Sequence, residues 1–227
     1  MRMESAEAHP EVPYIVPFLV FLAFLALDRY VPAGSLENRY AFGFLVVFVV
    51  TLFCARRIMT WRLVNLWGSA ALGVAVFAIW VGPDVVWPAY RENWLFHNAI
   101  VGAPRSSLPE AAKASILFIT IRGLSSVVNV PVLEELFWRG WLMRWLIQND
   151  FQKVPLGTFR PLSFWLVAVL FAAEHGPYWE VGLIAGIAYN LWIVRTKNLA
   201  DCILAHAVTN GLLAIYVIAG GHWEYWL

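Results

Sequence analysis

Charge is what this sequence has least of. Only 14% of its 227 residues are charged, and the formal net charge is +1. A soluble domain carries about 25% charged residues. That scarcity excludes a water-soluble enzyme and a disordered chain. A net charge this small leaves no basic footprint for nucleic acid. Cysteine is scarce too. Cys54 and Cys202 are the only two, which excludes a disulfide-rich scaffold and a cysteine-based zinc cluster. Both lie inside apolar runs and read as small buried hydrophobes. The N-terminus lacks a signal-peptide pattern, with Glu4, Glu7 and Glu11 set against Arg2 and no clear cleavage site. The first apolar run is therefore read as a retained helix. No nucleophile elbow, H-E-x-x-H or G-K-[ST] loop is present, and neither is a short-period repeat or a low-complexity segment.

What is abundant is apolar sequence, at 61% hydrophobic residues. The composition is that of a polytopic, all-α integral membrane protein forming a single domain over residues 1–227. Eight runs are expected to be helical: Tyr14–Leu27, Tyr40–Ala55, Leu66–Val81, Ala111–Val130, Leu136–Ile147, Leu162–Ala173, Val181–Val194 and Leu199–Ile218. Several fall short of the roughly 20 residues of a full span, so tilting or bilayer thinning is implied. Asp28, Arg29 and Pro32 are expected to end the first. Asp84–Ala112, with Trp87, Trp94, Pro88 and Pro104 among scattered charges, reads as an interfacial loop. Ser107, Pro109 and Glu110 resemble a capping box. The helix after it carries Arg122 and Asn129, and Pro131 is expected to break or kink it. Gly182 and Gly186 form a small-xxx-small pair suited to close helix packing.

Ionisable groups inside apolar runs cost about 2.5–3.5 kcal/mol each on insertion scales, so each needs a reason. Three clusters stand out. In Pro131-Val-Leu-Glu134-Glu135-Leu-Phe-Trp-Arg139-Gly140, Glu135 and Arg139 share a helix face and are set to pair. Glu134 points about 100° away and is left to move protons. The blander alternative is a pair of acids at a helix N-terminus favouring the dipole. In Phe171-Ala-Ala-Glu174-His175-Gly176-Pro177, His175 ends an apolar helix and is either a proton partner or a satisfier of helix carbonyls. In His206-Ala-Val-Thr-Asn210, two polar side chains share one face and are either donors in a site or interhelical glue. Together the clusters supply a base, a proton partner and two donors, the inventory for attack of water on a carbonyl.

These residues also carry a family resemblance. Glu134-Glu135-x-x-x-Arg139, Phe171-x-x-x-His175 and His206-x-x-x-Asn210 stand in the order and rough spacing of the CAAX prenyl endopeptidase family of intramembrane proteases. The signature part covers roughly residues 111–218. Length and the tryptophan-rich C-terminal half also look like the bacterial CAAX-protease-related proteins that accompany exosortase sorting systems. The resemblance implies a bundle of about eight helices with an intramembrane catalytic chamber. It implies hydrolysis of a peptide bond near the C-terminus of a membrane-associated protein, in a bacterial inner membrane. Glu134 would be the base and His175 its partner on the water. His206 and Asn210 would form the oxyanion hole, and Glu135 and Arg139 would organise the site. Glu174 would be a neighbour of the site without a role in the minimal motif.

Several alternatives stay open at this level. Glu134, His175 and His206 are also a possible zinc set, with water as the fourth ligand. Asn210, a poor zinc ligand, stands where His206 would need a second histidine, so the ligand chemistry leans towards a protease without a cofactor. A proton-coupled transporter would bury the same residue types but should show repeated halves, which are not visible. A non-catalytic scaffold of the same family and a lipid- or quinone-handling enzyme complete the set. Orientation poses a conflict. Arg56, Arg57 and Arg62 mark one loop as cytoplasmic, whereas Lys153, Arg160, Arg195 and Lys197 fall on the opposite side if every later run crosses. Either the Leu136–Ile147 run does not cross by itself, or the Asp84–Ala112 stretch adds a crossing.

Overall fold

The computed structural model describes residues 9–27, 30, 35–106 and 108–226. Among the described residues it is all helical, with eight helices and no strand. They are α1 (Val12–Leu27), α2 (Leu36–Ile58), α3 (Leu66–Val86), α4 (Glu110–Ala114), α5 (Ile116–Trp145), α6 (Pro161–Ala173), α7 (Trp179–Thr196) and α8 (Leu199–Gly220). Helices α2, α3, α5 and α8 are long and apolar enough to cross a membrane. Leu19, Leu22 and Leu25 on α1, Leu45, Val49 and Leu52 on α2, and Leu162, Trp165 and Val169 on α6 all point outward. Apolar residues at helical spacing on the outer face suit lipid as the surrounding medium. Cys54 and Cys202 are buried free thiols.

The expected count of eight holds, but its members differ. The runs read as Ala111–Val130 and Leu136–Ile147 are one helix, α5, and the eighth member is the short α4. Pro131 does not break α5. The turn before it, Ser125–Asn129, is wound as a π-helix, and the Val130 N–H donates to the Ser125 carbonyl. This wider winding leads the chain through the proline, which would clash with the carbonyl four residues back in tight α winding. The spans are also longer than the apolar runs. Arg56 and Arg57 lie inside α2, and Pro83 and Asp84 inside α3.

Local caps set the boundaries. Ser35, Asn65, Ser115 and Asn198 each accept a backbone N–H in the first turn of α2, α3, α5 and α8, as their short polar side chains favour. Glu110 opens α4 behind Pro109 with no side-chain cap. The Ser107 of the expected capping box, like Asp28, Arg29 and Pro32, lies outside the described residues. Helix α7 ends on Lys197 and α8 on Gly221, both left-handed. Helices α3 and α8 approach closely at Gly73, where a Cβ would stand 2.5 Å from the Ala205 carbonyl oxygen.

The loops sort to two ends. At one end the Asp201 carboxylate accepts from the N–H groups of Val64 and Asn65 at 3.1 and 3.2 Å. There Asn198 donates to the Arg62 carbonyl, Lys197 to the Gly157 carbonyl, and Tyr14 packs edge-on against Phe151. At the other end Arg91 pairs with Asp84 at 2.9 Å and Glu180 at 2.7 Å and donates to the Pro177 carbonyl. Tyr225 donates to Asp84 at 2.6 Å. Because α5 is one crossing and Asp84–Ala112 adds none, the loops carrying Arg62, Lys153, Arg160 and Lys197 all meet at the first end. The conflict over orientation disappears.

Candidate active site

The site is built where α5 passes α6, α7 and α8. Between its two π-wound stretches, Ser125–Asn129 and Leu136–Leu142, α5 keeps ordinary α geometry over Val130–Glu135. Arg139 is fully buried, and its Nη1 pairs with Glu135 Oε1 at 3.0 Å, as the four-residue spacing predicts. Its Nε donates to Asn190 Oδ1 at 2.9 Å and its Nη2 to the Gly186 carbonyl at 3.3 Å. The guanidinium lies 4.6 Å from the centre of the Phe171 ring. Asn190 is itself oriented by donating to the Phe164 carbonyl at 2.8 Å. A buried charge is tolerable only when paired and hydrogen-bonded, and α7 supplies what the motif on α5 lacks.

Glu135 Oε1 has a second partner, His206 Nδ1, at 3.0 Å. A carboxylate accepts, so Nδ1 carries the proton. The opposite nitrogen, Nε2, faces Glu134 Oε2 at 3.9 Å, beyond a direct hydrogen bond. Glu134 Oε2 is buried and has no hydrogen-bond partner. The His206 ring stacks on Tyr189 at 5.1 Å, and Tyr189 donates to Thr209 at 2.8 Å. His206 thus sits between the two acids, its plane set by a tyrosine.

His175 Nδ1 donates to the Phe171 carbonyl at 2.7 Å, so in the neutral ring Nε2 carries the lone pair. The imidazole is held by Trp80 and Phe171, with centroids at 5.1 and 4.8 Å. Gly182 makes room for it, since a Cβ there would lie 3.2 Å from the ring. Glu174 caps α6 and accepts from Trp138 Nε1 at 3.2 Å, which brings this extra acid beside the α5 cluster. Gly186 packs α7 closely on α6, where a Cβ would lie 3.2 Å from the Ala168 backbone. The two glycines also make space for one histidine and offer a carbonyl to Arg139.

Asn210 is placed differently from Glu134, Glu135, Arg139 and His206. Its Nδ2 donates to the Ser126 carbonyl at 2.9 Å. In π winding that carbonyl would accept from residue 131, which is proline and has no N–H. The alternative donor, Val130, already bonds Ser125. Asn210 therefore satisfies the acceptor that Pro131 leaves open. Asn190, Tyr189 and Trp138 are the partners that the sequence did not single out. Asn190 at least left a signal, as a polar residue in the middle of an apolar run.

A zinc ion would need Glu134, His175 and His206 to converge at about 2.0–2.2 Å on one point. Among the described residues no three His, Cys, Asp or Glu side chains are grouped in that way.

A bundle with buried carboxylates, histidines and a compensated arginine at the meeting of four helices has the make-up of a membrane-embedded hydrolase. Residues 115–212 match the family model described as Rce1-like, type II CAAX prenyl endopeptidase. No curated protein and no solved structure matches the chain.

Proposed function

We propose that this integral membrane protein hydrolyses a peptide bond near the C-terminus of a membrane-associated protein, with Glu134 as general base. The observation that carries the reading is the buried Glu134 Oε2, without a hydrogen-bond partner and 3.9 Å from His206 Nε2. A water about 2.8 Å from each atom closes that gap. Glu135 and Arg139 neutralise each other. Glu134 takes a proton from the water as its oxygen attacks the scissile carbonyl. His206, with Nδ1 turned to Glu135, presents its Nε2 edge to the reacting carbonyl. Asn210 contributes the amide hydrogen not used on Ser126. His175, through Nε2, takes the second hydrogen bond of the water. Glu134 then returns the proton to the leaving amine. The reaction is derived without a metal.

The end carrying Arg56, Arg57, Arg62, Lys153, Arg160, Arg195 and Lys197 is cytoplasmic by the positive-inside rule, in a bacterial inner membrane. The family match does not favour a transporter or a scaffold. The test compares cells carrying wild type and Glu134→Gln, reading C-terminal peptides of membrane proteins by mass spectrometry. Substrates keep untrimmed C-termini in the variant, while the protein stays folded and abundant. Equal trimming in both would overturn the assignment.

A further inference from the structure

His175 stands outside regular helix. Helix α6 ends at Ala173, and the chain turns through Gly176, at φ +53°, and Pro177 before α7 begins. A side chain on such a turn keeps its aim only when the turn is held from outside. Two grips hold it, and both lead to one short stretch of chain. After α8 the backbone reverses at Gly221, and residues 222–226 lie across the end of the bundle as a strap, with Tyr225 and Trp226 buried. Ser106 anchors the strap by donating to the Trp226 carbonyl at 3.0 Å.

The first grip runs through Tyr178. Its N–H donates to the His175 carbonyl at 3.0 Å and closes the turn. Its hydroxyl donates to the Glu224 carbonyl at 3.1 Å, and its ring stacks on Tyr225 at 5.1 Å. The Arg91 guanidinium lies 4.3 Å from the centre of the same ring. The second grip runs through α3. Tyr225 donates to Asp84 at 2.6 Å. Trp80 precedes Asp84 by four residues within α3, so the two share a side of the helix. Trp80 in turn packs edge-on against the His175 imidazole at 5.1 Å.

We infer that Tyr178 and Tyr225 are positioning residues for His175. The strap holds the backbone of the turn on one side and the aromatic support of the ring on the other, and so aims Nε2. With Nδ1 spent on the Phe171 carbonyl, Nε2 is the nitrogen His175 has to offer, and its direction follows the turn. That this aim serves the attacking water rests on the proposed peptidase reading, whereas the two grips stand on geometry alone. The two hydroxyls go to the strap and to α3, not to the acid cluster. Their loss therefore reaches the chemistry through His175.

The test uses the full chain in nanodiscs, with ¹⁵N and ¹³C in its histidine rings. The His175 signals are identified by their loss in His175→Ala. Wild type is expected to show one tautomer, with the proton on Nδ1. Tyr178→Phe and Tyr225→Phe keep the rings and remove one hydroxyl each. Each is expected to broaden or average the His175 signals and to leave those of His206 in place, and the double variant does so further. Asn198→Ala, which removes the α8 cap at the opposite end at a comparable cost in stability, leaves His175 as it was. Unchanged His175 signals in the tyrosine variants overturn the inference. So does an equal change in Asn198→Ala, which marks general loosening. Where Tyr225→Phe fails to fold, Tyr178→Phe decides alone. On a substrate that wild type trims, each tyrosine variant lowers kcat about two- to tenfold, the worth of one neutral hydrogen bond, with KM unchanged, and a loss confined to KM overturns the inference. A loosened His175 in the variants, with no trimming by wild type, keeps the inference and removes the peptidase reading. Trimming that survives in both variants with His175 undisturbed does the reverse.

Discussion

Arg139 is the residue whose loss the structure prices most clearly. It is fully buried and donates to Glu135, Asn190 and the Gly186 carbonyl. Arg139→Met keeps the length and apolar character of the side chain but removes the charge. Glu135 is then a buried carboxylate with only His206 beside it, and breaking such a pair costs about 3–5 kcal/mol. Arg139→Lys keeps the charge but not the planar fork. Losing the Asn190 bond or the Gly186 bond costs about 1.5–3 kcal/mol each. The cost is not simply additive. In the double variant Glu135→Gln with Arg139→Met no uncompensated charge remains, so a coupling of about 0.5–3 kcal/mol should return. Reversible unfolding in mixed micelles, followed by tryptophan fluorescence, reads wild type, both Arg139 variants, Glu135→Gln and the double variant. Arg139→Met within about 1 kcal/mol of wild type, or single losses that add to within about 0.5 kcal/mol in the double variant, would refute the account of the pair.

Asn210→Ala should destabilise by about 1–3 kcal/mol by orphaning the Ser126 carbonyl, and Pro131→Ala, which restores an N–H at that position, should soften the loss in the same unfolding assay. At the opposite end of the bundle, burial and the Asp84 carboxylate push the Tyr225 hydroxyl well above the usual phenol range. A raised folded-state value gives stability that is present below about pH 10 and lost as pH rises beyond it. Tyr225→Phe should therefore be less stable than wild type at pH 8 and lose less on going to pH 11, and parallel pH profiles would contradict this. Protein purified in detergent should hold substoichiometric zinc and stay active through prolonged chelation. One tightly bound metal per chain, with activity lost on its removal and regained on its return, would replace the proposed mechanism with a Lewis-acid one.

The Glu135–Arg139 pair was legible because helical spacing is a one-dimensional signal, and so was the separate position of Glu134. The partners across helices were not. Nothing in the sequence says that Asn190 on α7 reaches Arg139, or that His206 reaches Glu135. Helix lengths were underestimated because hydropathy ends where charge begins, while hydrogen bonding continues through Arg56, Arg57 and Asp84. Pro131 misled for a related reason. The rule for a proline inside a helix assumes α winding, and the chain changed its winding instead.

That change of winding ties the site together. A π turn before Pro131 removes the clash but leaves the Ser126 carbonyl without a backbone donor, and Asn210 fills the vacancy. Four residues earlier on α8, His206 bonds Glu135. The same two helices are thus joined twice, on either side of Glu134. Twisting α5 to move Glu134 must strain one bond or the other. Near the far end of the site, Arg91 ties the Asp84 end of α3 and the Glu180 turn of α7 to the carbonyl of Pro177, two residues past His175. Buried polar groups that are paired in this way hold geometry. Glu134 Oε2, like Glu135 Oε2 beside it, has no hydrogen-bond partner, but it alone of the two faces His206 Nε2. An acceptor held in place with no donor is expensive to keep for stability alone. In a base it is where the proton of the attacking water goes.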